Sequence, residues 1–290
     1  RQIIDLSGGL KELEPLGEIQ LKGAIALYNM IAAPGVGMGY LADEVGMGKT
    51  YIALAVVALM RYFNPSLRVL YICPSKNVQE KWDREYRSFT QHNVRVAQNR
   101  IKTPKGEPAS PYISCNNVVE MIEMAASGYY ADFFVRKDSF SIGLQDDQSE
   151  DKSYWKGKCE EITHLLPAHQ WKLLGDESAL QSKDDVKYHY ARALNYVLPT
   201  FDLVVIDEAH NFKHNFNSSA RNRVLSRVLG FNETDNYRPR VKHSLLLSAT
   251  PYDRDINQLR NQLNLVGKSH LLPEEVKSPE DIKNTLKRFM

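Results

Sequence analysis

The sequence predicts an α/β domain: a mostly parallel sheet with helices on both faces, interrupted by a mostly helical insertion. Three observations predict it. Residues 38–42 (MGYLA), 68–73 (RVLYIC), 201–206 (FDLVVI) and 244–247 (SLLL) are short apolar runs with little polar alternation, as expected of strands buried on both sides. Helical patterns follow the first two, at 51–62 (YIALAVVALMRY) and 77–89. Such strand–helix alternation builds a parallel sheet with crossover helices. Finally, residues 129–198 break the rhythm, with a polar run at 145–152 and then Trp155, Trp171 and several tyrosines at irregular helical spacing. The organisation expected is therefore 1–128 and 199–290 as two parts of one core domain, with 129–198 inserted between them.

The remaining elements follow the same logic. Residues 112–115 read as a further short strand, and 258–266 and 279–289 as terminal helices. Pro239 lies in a loop at 231–240 before the last strand.

Composition excludes several classes. A chain of 290 residues with 43% hydrophobic and 25% charged residues is ordinary for a globular domain. The net charge of +2 diagnoses no partner by itself. Cys73, Cys115 and Cys159 form no CxxC pair, which argues against a zinc site and a disulfide framework and fits a reducing cytoplasm. No apolar run approaches the ~18 residues needed to span a membrane, and no signal peptide is visible.

Residues 43–50 read DEVGMGKT between a strand and a helix, the context in which a glycine-bearing turn cradles phosphate. Gly46 and Gly48, flanking Met47, let backbone N–H groups approach phosphate oxygens without a Cβ in the way. A helix beginning near Lys49 adds the positive end of its dipole. Lys49 is placed to reach the β- and γ-phosphates of ATP, and the Thr50 hydroxyl to ligate Mg²⁺. Asp43 departs from the generic loop, which asks for a small residue at that position.

The run FDLVVI ends in Asp207-Glu208-Ala209-His210. A carboxylate at a strand's carboxyl end suits the outer shell of Mg²⁺, and Asp207 is placed to supply it. Hydrolysis also needs a group to orient and deprotonate water, the role that Glu208 fits. The run SLLL ends in Ser248-Ala249-Thr250-Pro251, whose hydroxyls suit hydrogen bonding to the acidic segment and sensing of the γ-phosphate. His210, Ser248 and Thr250 are therefore the candidate coupling residues.

With these three elements in order, the chain resembles superfamily 2 helicases, and specifically the Swi/Snf-type translocases. LADEVGMGKT is similar to that family's form of the loop, which explains Asp43; Val45 resembles the bacterial branch related to the RNA-polymerase-recycling ATPase. Gln20-Leu21-Lys22-Gly23 resembles the glutamine motif, implying that Gln20 contacts adenine. CPSKNVQEKWDREY resembles the next motif, with Pro74 and Ser75 ending a strand and Trp82 packing a helix. DEAHNFKH resembles the extended acidic motif, in which Lys213 matches a recurrent basic position, and SATPYDRDINQLRNQLNLV resembles the third motif and its helix.

The resemblance implies a RecA-like fold, ATP and Mg²⁺ as cofactors, and sequence-independent contact with nucleic acid, double-stranded DNA above all. Ser75, Lys76, Lys213 and Arg254 are the nucleic-acid candidates, with Lys81 as a further lysine. It also implies a second RecA-like lobe carrying the arginine finger. That lobe is not expected within these residues, so the fragment should hold ATP and hydrolyse it barely. A strand-separating helicase acting on DNA or RNA and a nucleotide-gated interaction module, its insertion docking a protein partner, are the competing functions. The setting expected is prokaryotic.

Overall fold

The computed structural model describes residues 2–43, 46–95, 101–141, 182–217, 219–231, 237–251 and 255–273, together with residues 157 and 160. Among them six strands form one sheet: β1 (Met38–Leu41), β2 (Val69–Cys73), β3 (Ser110–Ser114), β4 (Tyr130–Arg136), β5 (Phe201–Ile206) and β6 (Val241–Leu247). Their order is β1-β6-β5-β2-β4-β3, and every neighbouring pair is parallel. The α-helices among the described residues are α1 (Glu14–Ala32), α2 (Lys49–Phe63), α3 (Lys76–His92), α4 (Val118–Ser127), α5 (Lys183–Val197), α6 (Ala220–Leu229) and α7 (Ile256–Leu265).

Strand side chains point alternately to the two faces, and the burial follows that period. Val69, Tyr71, Cys73, Leu203, Val205, Leu245 and Leu247 pack under α1, α2 and α3. Leu70, Ile72, Phe133, Val135, Val204, Ile206 and Leu246 pack under α4, α5, α6 and α7. Both faces are covered, which is why the central strands read as continuous apolar runs.

One boundary differs from expectation. Tyr130–Arg136, assigned from the sequence to the mostly helical insertion, is strand β4, paired on both sides with β2 and β3. Its acidic member, Asp132, is wholly buried, and Arg61 from the last turn of α2 compensates it. A strand carrying an acid mid-run lacks the apolar signature, so its partner 71 residues away decides the assignment. At the other end, α5 packs on α6 and contributes Val186, Ala191 and Leu194 to the core. The polar run at 145–152, Cys159, Trp155, Trp171, His164, His169 and the helix expected at 279–289 lie outside the described residues.

The helix signals are local. Gln79, Trp82, Tyr86 and Phe89 give α3 a buried stripe at helical spacing, while Lys76–Glu80, Lys81–Glu85 and Asp83–Arg87 pair along its wet face. Asn117 and Ser219 cap α4 and α6 by accepting backbone N–H bonds. Among the described residues, no helix is long and apolar enough to cross a membrane.

Candidate nucleotide site

Because all six strands run the same way, their carboxyl ends share one edge, where ligands of open α/β sheets collect. The phosphate loop follows β1, Ser75 and Lys76 follow β2, Asp207 and Glu208 follow β5, and Ser248 and Thr250 follow β6. Register locks the pieces together. The Ser248 N–H donates to the Leu41 carbonyl at 3.1 Å, and the Asp207 N–H to the Ile72 carbonyl at 3.1 Å.

Gly46 and Gly48 both lie in the left-handed region, at φ 92° and 79°. A Cβ on Gly46 would meet open space, whereas one on Gly48 would collide with the Gln20 amide. Gly48 caps α2 without a side-chain hydrogen bond, leaving the first N–H groups of that helix free of a side-chain cap. The Lys49 ammonium donates to the Asp43 carbonyl at 2.8 Å, and Thr50 is buried at the first turn. Gln20, on the inner face of α1, donates from its amide to the Met47 carbonyl at 3.0 Å. The structure thus gives the glutamine a partner in the loop backbone itself.

Asp207 is held from two sides: the Trp82 indole N–H donates to Oδ2 at 2.8 Å, and the Glu208 N–H to Oδ1 at 2.9 Å. Burial pushes the Asp207 carboxyl up, and these hydrogen bonds pull against it. Glu208 is the one non-glycine with positive φ among the described residues, at φ 51°. That backbone costs about 1–2 kcal/mol for a residue with a Cβ. Asn211 braces it, with its backbone N–H and side-chain amide both donating to the Glu208 carbonyl, at 2.9 and 2.8 Å. The Lys137 ammonium in turn fixes the Asn211 side chain at 2.8 Å.

His210 Nδ1 lies 3.1 Å from Glu208 Oε2 and 3.1 Å from Ser248 Oγ, so one imidazole joins the acidic segment to the third motif. Ser248 is wholly buried and accepts the Thr250 N–H at 3.2 Å. Two residues not anticipated from sequence complete this side. Gln262, buried in α7, donates to the Pro251 carbonyl at 2.6 Å and accepts from the Tyr40 hydroxyl at 2.5 Å. No sequence signal marks this pair, because 222 positions separate the two residues.

The surface candidates divide. Ser75 and Lys76 are exposed at the start of α3, where Lys76 has a loose pair with Glu80 at 3.8 Å. Lys213 is exposed beside the acidic segment, and its carbonyl accepts from Asn261. Arg254 lies outside the described residues.

A parallel sheet with a phosphate loop after β1, an acid pair after β5 and a Ser-Ala-Thr turn after β6 defines the first RecA-like lobe of a superfamily 2, helicase-type ATPase. The chain belongs to the family described as type III restriction enzyme, res subunit, which it matches over residues 20–253. Among solved structures it is similar to the SWI2/SNF2 ATPase core of Sulfolobus solfataricus in complex with dsDNA, with 16% identity and a TM-score of 0.53. The match covers 93% of this chain and 42% of that one. The same values hold for the Sulfolobus solfataricus SWI2/SNF2 ATPase core domain, so this chain spans less than half the length of these structures. None of the curated proteins matches it in sequence.

The site's residues fit a magnesium nucleotide. Open space above Gly46 and the uncapped start of α2 suit phosphate oxygens. Thr50 and Asp207 offer only oxygen ligands, the preference of a hard cation. When bound, the metal supplies charge neutralisation for the transferring phosphoryl group.

Proposed function

We propose that this chain is the ATP-binding lobe of a Swi/Snf-like, ATP-dependent translocase on double-stranded DNA, its hydrolysis completed by a second RecA-like lobe. The observation that carries the reading is Glu208. Its strained backbone is braced by Asn211, and its carboxylate is joined through His210 to Ser248. Backbone strain held by surrounding bonds clusters at working sites.

In this reading the loop from Gly46 to Thr50 holds the phosphates, with Lys49 leaving the Asp43 carbonyl for the β- and γ-oxygens. Thr50 and Asp207 hold Mg²⁺, and Glu208 accepts the proton of the attacking water. His210 links that carboxylate to Ser248 and Thr250, so a change at the γ-phosphate is felt after β6. Gln20 steadies the loop through Met47 and borders the nucleotide. An arginine from the second lobe would add about 10³–10⁵ in rate, as in related phosphoryl-transfer enzymes. Exposed Ser75, Lys76 and Lys213, with Arg254, would meet duplex phosphates without reading sequence. The dsDNA bound by the similar SWI2/SNF2 core supports this choice of partner.

The test compares ATP turnover of the full-length protein with that of Glu208→Gln, with and without duplex DNA. Stimulation by DNA in the wild type and a loss of at least a hundredfold in the variant are expected. Equal rates would remove the enzymatic reading.

A further inference from the structure

The buried stripe of α3 carries a polar anchor at each turn. The Gln79 amide donates to Ser114 Oγ, the Cys115 carbonyl and the Phe134 carbonyl, at 3.0, 2.8 and 3.0 Å. The Tyr86 hydroxyl donates to Asp132 at 2.6 Å. Between them, Trp82 reaches out of the helix layer to Asp207 Oδ2 at 2.8 Å.

Trp82 is 1% exposed, and its ring packs against Tyr71 and Phe134 at centroid distances of 5.3 and 6.1 Å. Its packing therefore has little freedom, and the direction of its N–H is fixed by the aromatic stack. An indole carries a single donor and no acceptor. Phenylalanine would fill much of the same space, so the hydrogen bond is what tryptophan adds. Oδ2 keeps a second lone pair for a further ligand, and Oδ1 is oriented by the Glu208 N–H.

We propose that Trp82 is a positioning residue for Asp207, setting the carboxylate's orientation and hence how tightly the site holds Mg²⁺ with ATP. The inference rests on the magnesium–nucleotide reading of the site.

The test titrates Mg²⁺ into the protein with a fluorescent, non-hydrolysed ATP analogue, for wild type, Trp82→Phe and Tyr71→Phe. Tyr71→Phe alters a residue of the same stack but keeps its ring, removing only a buried hydroxyl that has no hydrogen-bond partner among the described residues. Replacing Trp82 with benzothienylalanine keeps the bicyclic ring and deletes the donor, which covers the case of a Trp82→Phe protein that does not fold. The Mg²⁺ concentration for half-saturation should rise roughly five- to tenfold in the Trp82 variants, the scale of one charge-assisted hydrogen bond. Tyr71→Phe and the magnesium-free affinity should stay at wild-type values. Trp82 variants indistinguishable from wild type, or an equal rise in Tyr71→Phe, would overturn the positioning role. A wild type whose analogue binding ignores Mg²⁺ would remove the reading of the site, and this inference with it.

Discussion

Changing Asp132 to Asn tests how the helix that carries the phosphate loop is tied to the sheet. Asp132 is wholly buried in β4 and receives both terminal nitrogens of Arg61 and the Tyr86 hydroxyl. Arg61 is itself mostly buried and also donates to the Leu67 carbonyl at 3.2 Å. Asparagine keeps the shape and leaves an acceptor for Tyr86, but it withdraws the negative charge from a guanidinium that cannot lose its proton. An uncompensated buried charge costs about 3–5 kcal/mol, more than the hydrogen bonds alone. Urea unfolding of Asp132→Asn should show that loss. The double variant Arg61→Met with Asp132→Leu should recover part of it, because it removes the unpaired charge, although the buried Tyr86 hydroxyl then loses its acceptor. A single variant within about 1 kcal/mol of wild type, or a double variant no better than the single, would refute the reasoning.

Two further outcomes follow from the geometry. Gly48→Ala and Gly46→Ala each place a Cβ at positive φ, at about 1–2 kcal/mol, but only at Gly48 does the new methyl strike the Gln20 amide. Nucleotide affinity should therefore fall further in Gly48→Ala, and on a Gln20→Ala background that extra penalty at Gly48 should disappear; equal losses at the two glycines with Gln20 present would count against the clamp. His243, at the opposite end of β6, is held below its ordinary value, mainly by burial. A group whose folded value is depressed binds fewer protons folded than unfolded, so its stabilisation is complete above the unfolded value and is lost as pH falls. Thermal stability should drop between about pH 7 and 5, and His243→Gln should flatten that slope.

The sequence by itself determined the parallel α/β core, because strands buried on both faces must be apolar along their buried length, as residues 69–73 and 203–206 are. It also determined the three strand-end segments, since glycine flexibility, paired acids and small hydroxyls leave composition-level marks at fixed places along the chain. Those are local properties. Only the tertiary structure decided that 130–136 is a strand, because the apolar pattern is broken by Asp132 and repaired by Arg61 from another element. Only it decided that Gln20 grips Met47, that Gln262 joins Tyr40 to Pro251, and that Trp82 ends on Asp207. A side chain's residue type announces a donor or an acceptor, but its partner is set by which strands are neighbours. The order β1-β6-β5-β2-β4-β3 puts β2 beside β5, and so brings the helix after one strand to the acid at the end of the other.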